Sequence, residues 1–108
     1  MSITIIDYGS GNLKSAAKAL ETAANNIKLK TRIIVTSDPK EIKDSKKIVL
    51  PGQGSFRDCF FGIKKIAGLE DALNEFVLVK KKPIFGICVG MQLFAKTGYE
   101  SQQTKGFG

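Results

Sequence analysis

The sequence predicts an α/β fold with an open parallel sheet and helices on both of its faces. Three observations predict it. Short β-branched runs alternate with stretches whose apolar residues recur at helical spacing, the pattern of strand-helix-strand units. Glycine-bearing loops, YGSGN, PGQG and GICVG, follow three of the predicted strands. Right-handed crossovers then bring those loops to one edge of the sheet, where ligands bind in such folds.

The elements follow in order. Residues 3–7, ITIID, are apolar and β-branched and close on an acid and a glycine turn, a first strand. Leu13, Ala16, Ala17, Leu20 and Ala24 then share one face of a helix, with Lys14, Lys18 and Glu21 opposite and Asn25-Asn26 ending it. Residues 29–36, LKTRIIVT, are less uniformly apolar and predict an edge strand. Ser37-Asp38-Pro39 opens a short helix, because Asp38 can cap it, Pro39 suits its first position and Glu41 sits where a capping box places its acid. A third strand, 46–51, stops at PGQG. Ser55 and Asp58 offer a second capping pair before FFGIKKI, and Gly68 interrupts that stretch. Leu69, Ala72, Leu73, Phe76 and Val77 mark a further amphipathic helix. PIFGI, 83–87, is a fourth strand with proline where a strand tolerates it. From Gly90 the chain is helical to about Ala95, and Gly98 is placed to close that helix with positive φ. The last stretch, SQQTKGFG, reads as a turn without a closing element, so the fold is expected to extend past residue 108.

Composition bounds the function. With 108 residues, 43% hydrophobic and 25% charged, the chain is one domain at most and long enough to build a core. The start, MSITIIDYGSG, lacks the basic opening and long apolar segment of a secretory signal, and no apolar run is long enough to span a bilayer. That reads as a cytoplasmic protein with no membrane partner, and its two cysteines, Cys59 and Cys88, as free thiols. Net charge is +7, from seventeen Lys and Arg against ten Asp and Glu. The cations are spread through every segment, and the one tight run, Lys80 to Lys82, has no aromatic residues interleaved as a stacking platform needs. A solvated lysine face fits better than a nucleic-acid site; an acidic protein partner stays open.

GICVG is the thiol counterpart of the G-x-S-x-G elbow that follows a strand and opens a helix. The glycines on either side of Cys88 remove side chains that would collide in the sharp turn, and the turn pushes the sulfur outward. Backbone N–H groups at the helix start favour the thiolate. A buried structural cysteine is the bland alternative. Cys59, in FRDCFFG, lacks the glycine frame and reads as a core thiol. PGQG, at the end of the neighbouring strand, could present N–H groups as an oxyanion hole, or be a plain turn before a capped helix. YGSGNLKS matches a dinucleotide fingerprint only in part, since Lys14 stands where the last glycine belongs.

Together, DYGSGNLKS, LPGQGSF and GICVGMQLF followed by Glu100 resemble the triad-type, class I glutamine amidotransferases. The opening DYGSGNL and the spacing of the motifs narrow the resemblance to the glutaminase subunits of histidine biosynthesis, and only to the N-terminal part of that single domain, residues 1–108. The resemblance implies a flavodoxin-like sheet, truncated after the nucleophile helix. It implies that Cys88 attacks the side-chain amide of glutamine, and that the backbone N–H groups of Val89 and Gln53 hold the oxyanion. The PGQG peptide would turn over to complete that hole, under a partner's control. Gly52, Gln92 and Glu100 match positions that contact the substrate, with a helix-surface amide and a solvated loop acid as the bland readings of the last two. Asn12 would lie near a cyclase subunit with a TIM barrel that receives the ammonia; otherwise it caps the first helix. No cofactor and no metal are implied.

One feature departs from the family. Its general base is a histidine oriented by a glutamate, and this chain has no histidine. The 108 residues alone are therefore expected to be inactive, a fragment rather than a degenerate form, with an open sheet edge and an uncovered apolar surface. The glutaminase of another ammonia-channelling synthase, a thiol redox or chaperone-like α/β protein, and a non-catalytic binding subunit remain as rivals.

Overall fold

The computed structural model describes residues 2–11, 13–28, 30–99 and 103–108. Four parallel strands form the main sheet: β1 (Ser2–Ile6), β2 (Arg32–Thr36), β3 (Lys47–Leu50) and β4 (Ile84–Gly86), in the order β2-β1-β3-β4. β2 is an edge strand, as its mixed composition predicts, and its Ile33, Ile34 and Val35 are only partly buried or exposed. The helices are α1 (Leu13–Asn26), α2 (Pro39–Asp44), α3 (Phe56–Lys64), α4 (Leu69–Asn74) and the short α5 (Val89–Gln92). α4 runs on as a π-helical turn over Glu75–Val79, in which Lys80 N–H donates to Glu75 O at 2.9 Å.

Side-chain alternation along the strands decides which helix covers which face. Ile6, Ile48 and Leu50 share one face and pack with Ile42 of α2, Phe60 and Ile63 of α3, and Leu69, Leu73 and Phe76 of the α4 segment. Ile5, Val35, Val49 and Phe85 share the other face by register. The chain moves one way from β1 to β2 and back across the sheet from β2 to β3, so right-handed crossovers put α1 on this second face and α2 to α4 on the first. α1 contacts β1 and β2. On that face Val49 is buried, whereas Phe85, on edge strand β4, is 65% exposed.

Local signals in the sequence explain the helix starts. Asp38 accepts from Lys40 N–H at 2.9 Å and Ser55 accepts from Asp58 N–H at 3.1 Å, so both expected caps form. The capping box at α2 is relayed: Glu41 accepts from the Thr36 hydroxyl at 2.8 Å, and that hydroxyl takes the Asp38 N–H at 3.0 Å. Gly68 breaks the α3–α4 stretch with φ +81°. The lysine run has a structural use, since Lys80 Nζ reaches Lys43 O and Lys82 Nζ reaches Ser45 O, both at 3.0 Å, where α2 leaves carbonyls unpaired. Within the core, Thr4 and Ser45 are buried polar residues that bond each other, and Ser45 Oγ donates to Glu41 O at 2.8 Å.

The region after Gly90 differs from expectation. α5 ends at Gln92, and Gly98 does not terminate it; it lies in β5 (Thr97–Gly98), paired antiparallel with β6 (Thr104–Lys105). Glycine is needed at 98 for space, because a Cβ there would come within 2.7 Å of the Phe56 ring. Nor is the last stretch a loose turn: Phe107 N–H donates to Leu93 O at 2.9 Å, and its ring packs on the core.

Candidate active site

β4 hands over to α5 through Ile87 and Cys88, and the handover is sharp. Cys88 has φ 54° and ψ −123°, a conformation that a residue with a side chain rarely occupies. Two glycines make the bend possible. A Cβ on Gly86 would stand 2.5 Å from Met91 Cα, and one on Gly90 would stand 1.9 Å from Leu50 O. The first lets the new helix fold back over the strand; the second lets it press on the end of β3. The outcome is an exposed Cys88, whereas Cys59 is buried.

The PGQG loop leaves β3 directly beside this bend. Gly52 faces the start of α5, where a Cβ would meet Gly90 N at 2.5 Å. Beside loop and bend lies a cleft of about 460 Å³, lined by Gly11, Ser15, Ala16, Pro51 to Gly54 and Ile87 to Val89. Gly52, Gln53, Cys88 and Val89 are thus brought together. Val89 is the first residue of α5, where a backbone N–H has no partner within the helix. Gln92 lies on the exposed surface of α5 and does not line the cleft. Asn12 and Glu100 lie outside the described residues.

The N–H of Gln53 points elsewhere. It donates to Ser10 Oγ at 2.9 Å, so it is committed and not presented to an oxyanion at Cys88. The same hydroxyl donates to Gln53 O at 2.7 Å and lies 3.3 Å from Cys59 Sγ. Below it, Tyr8 OH donates to Pro51 O at 2.5 Å. The two glycine loops after β1 and β3 therefore support each other: Gly11, at φ +98°, sits where a Cβ would be 2.7 Å from Pro51 Cβ. Tyr8, Ser10 and Cys59 brace the PGQG loop from outside the cleft lining, a support that the sequence pattern does not disclose.

Burial pushes the Tyr8 phenol above its ordinary range; the adjacent Cys59 adds to this and Ser10 opposes it in part. A raised pKa means that the phenol stabilises the fold below the unfolded value of about 10 and loses that contribution as pH rises through the folded value. Tyr8→Phe is expected to remove a late tyrosinate step from an alkaline absorbance titration. It should also cost about 1–3 kcal/mol in urea unfolding, because the Pro51 carbonyl loses its buried donor. Loss of an early step instead would place Tyr8 in solvent. Among the described residues no three His, Cys, Asp or Glu side chains converge as a metal site, and no helix is long and apolar enough to cross a membrane.

Comparison with known proteins bears on this arrangement. The family model for class-I glutamine amidotransferases matches residues 4–103. The imidazole glycerol phosphate synthase subunit HisH of Bradyrhizobium diazoefficiens is 53% identical over 106 residues, which are 98% of this chain and 49% of that protein. The subunit of the same name from Pelagibacter ubique is 49% identical over 108 residues, 100% of this chain and 50% of its own length. That from Rhodopseudomonas palustris is 52% identical over 106 residues, 98% of this chain and 49% of its own length. The chain thus spans about half the length of the curated relatives it matches.

Proposed function

The chain belongs to the class-I glutamine amidotransferase family, and from that premise we propose that it carries the nucleophile of a glutaminase supplying ammonia to imidazole glycerol phosphate synthesis in the cytoplasm. The supporting observation is the strained, exposed Cys88 at a cleft that PGQG also lines. The names of the relatives favour the histidine branch over other ammonia-channelling synthases.

In this reading the Cys88 thiolate attacks the side-chain amide carbon of glutamine. A C–S bond forms, the carbonyl electrons move to oxygen, and the Val89 N–H stabilises the charge. Collapse breaks the C–N bond, and nitrogen leaves as ammonia after gaining a proton. Water then cleaves the thioester to glutamate and the free thiol. Ammonia passes to a cyclase subunit with a TIM barrel, with Asn12 near the junction. Gln92 and Glu100 are the proposed contacts to glutamine. The proton transfers need a histidine that these 108 residues lack. The isolated chain should therefore acylate or alkylate at Cys88 without steady turnover.

A chloromethyl-ketone analogue of glutamine tests this. Its capture forms a C–S bond and expels chloride, which needs no external base once the thiolate is present. Mass spectrometry is expected to find the adduct on Cys88 alone, and excess glutamine should slow it. An adduct on Cys59, or no protection by glutamine, would sink the assignment.

A further inference from the structure

We infer that the end of the sheet opposite Cys88, where the strands begin, is a docking surface for an acidic protein segment that also carries aliphatic side chains. It is independent of what Cys88 does.

Along the sequence the cations are scattered, but the fold gathers them. In a parallel sheet every strand starts at the same end, so the segments that enter β2, β3 and β4 share it. Residues 28–32, 43–47 and 80–82 are those segments, and each holds three Lys or Arg. Against these nine stand Asp44 and Glu75, the latter paired with Lys43 at 3.5 Å. The rest of the chain carries cations and acids in equal number, so the whole net charge of +7 lies at this end. Ser2 pairs with Arg32, Ile3 with Lys47 and Ile48 with Ile84, and the same register, continued, sets Arg32, Lys46 and Lys82 on one level across the sheet. At the usual strand spacing that row spans about 14 Å.

Helix ends account for part of this charge. Lys43 answers Glu75, while Lys80 and Lys82 bond carbonyls at the end of α2. The other six side chains pair with nothing among the described residues. Two of the six are strained. Lys28 and Lys81 follow α1 and the π-helical turn in left-handed backbone, at φ 54° and 53°, where glycine is the favoured residue. A face that needs only to be wetted has no use for a charge held in that conformation.

What lies beside the cations selects the partner. Ile27 precedes Lys28 and is 71% exposed, and Leu78 and Val79 precede Lys80 at 65% and 73%. Phosphates offer such aliphatics nothing, and the three segments hold no aromatic side chain on which bases could stack. Eight of the nine cations are lysines, point charges rather than the planar forks that grip phosphate. Carboxylates interspersed with leucine match both the charge and the aliphatics. A segment bound at this end leaves the cleft at Cys88 open.

The probe is a peptide of glutamate with interspersed leucine, titrated into the isotope-labelled chain at low salt and followed by NMR; polyglutamate and a single-stranded RNA of matched charge are the comparisons. Amide signals are expected to move at 28–32, 43–47 and 80–82 and to stay in place at the cleft, 51–54 and 87–89, with iodoacetamide labelling of Cys88 unaffected. Ionic strength of about 1 M should weaken binding at least tenfold. Lys28→Gly with Lys81→Gly removes two charges and relieves both turns, so the urea midpoint should hold or rise while affinity falls roughly three- to tenfold. Arg32→Gln with Lys46→Gln should weaken binding similarly without touching either turn. Lys14→Gln with Lys65→Gln, which removes as much charge elsewhere, should bind like the parent. Amide shifts confined to other residues, both variant pairs of this end binding like the parent, or polyglutamate binding as tightly as the leucine-bearing peptide overturns the inference. Tighter binding of the RNA than of the peptide at the same salt overturns it in favour of a nucleic-acid surface.

Discussion

Replacing Cys88 with glycine is expected to abolish capture of the glutamine chloroketone and, in the same molecule, to raise stability by about 1 kcal/mol. Loss of the sulfur accounts for the first effect. The second follows from the backbone. A φ of 54° with ψ of −123° is sparsely populated for any residue with a Cβ, and holding one there costs on the order of 1–3 kcal/mol. Glycine removes that cost but brings about 0.5–1 kcal/mol of extra freedom to the unfolded chain, which leaves a net gain. The side chain is exposed, so its deletion forfeits little burial. Cys88→Ala is the control, equally inactive yet retaining the Cβ and hence the strain. Urea midpoints should rank glycine above both alanine and the parent. Equal midpoints for glycine and alanine would mean that the strain is not carried at residue 88.

The same contrast separates what the sequence discloses from what it conceals. GICVG could be read because strand, bend and helix lie within a few residues, and Gly86 answers a clash with Met91 inside that span, although the clash that Gly90 answers is with the distant end of β3. Both helix caps were legible for the same reason, since Asp38 and Ser55 act on N–H groups two or three residues ahead. Ser10 was not. Its partners, Gln53 and Cys59, are 43 and 49 positions away, and only the pairing of β1 with β3 brings the loops together. Gly98 misleads because glycine serves two ends, positive φ or absence of bulk, and Phe56, far upstream in the sequence, imposes the second. The ladder of β5 with β6 has two residues a side, too few for any periodicity to mark. Of the expected site, Gly52, Gln53, Cys88 and Val89 meet at the cleft, while Gln92 sits outside it on α5.

Gly90→Ala carries the largest expected loss of stability, about 3 kcal/mol or more, because two physical effects predict opposite signs and one is far larger. Gly90 lies inside α5, where helix propensity alone would favour alanine by about 1 kcal/mol. Packing opposes it. The added Cβ would lie 1.9 Å from Leu50 O, 2.8 Å from Leu50 C and 3.0 Å from Pro51 C, all backbone atoms. No side-chain rotation relieves such a contact. Leu50 O also cannot retreat freely, since it accepts the Ile87 N–H at 2.9 Å and so ties the end of β3 to the bend itself. To accommodate the methyl group, α5 must lift from β3, which moves the Val89 N–H and widens the cleft at Cys88. Gly54→Ala is the calibrating variant, with open space but a φ of +97°, and should cost only about 1 kcal/mol. Urea unfolding of the pair decides between the effects. If Gly90→Ala proves as stable as the parent or more so, propensity has won, and the close seating of helix on strand that aims Cys88 at the PGQG loop is absent from the molecule in solution.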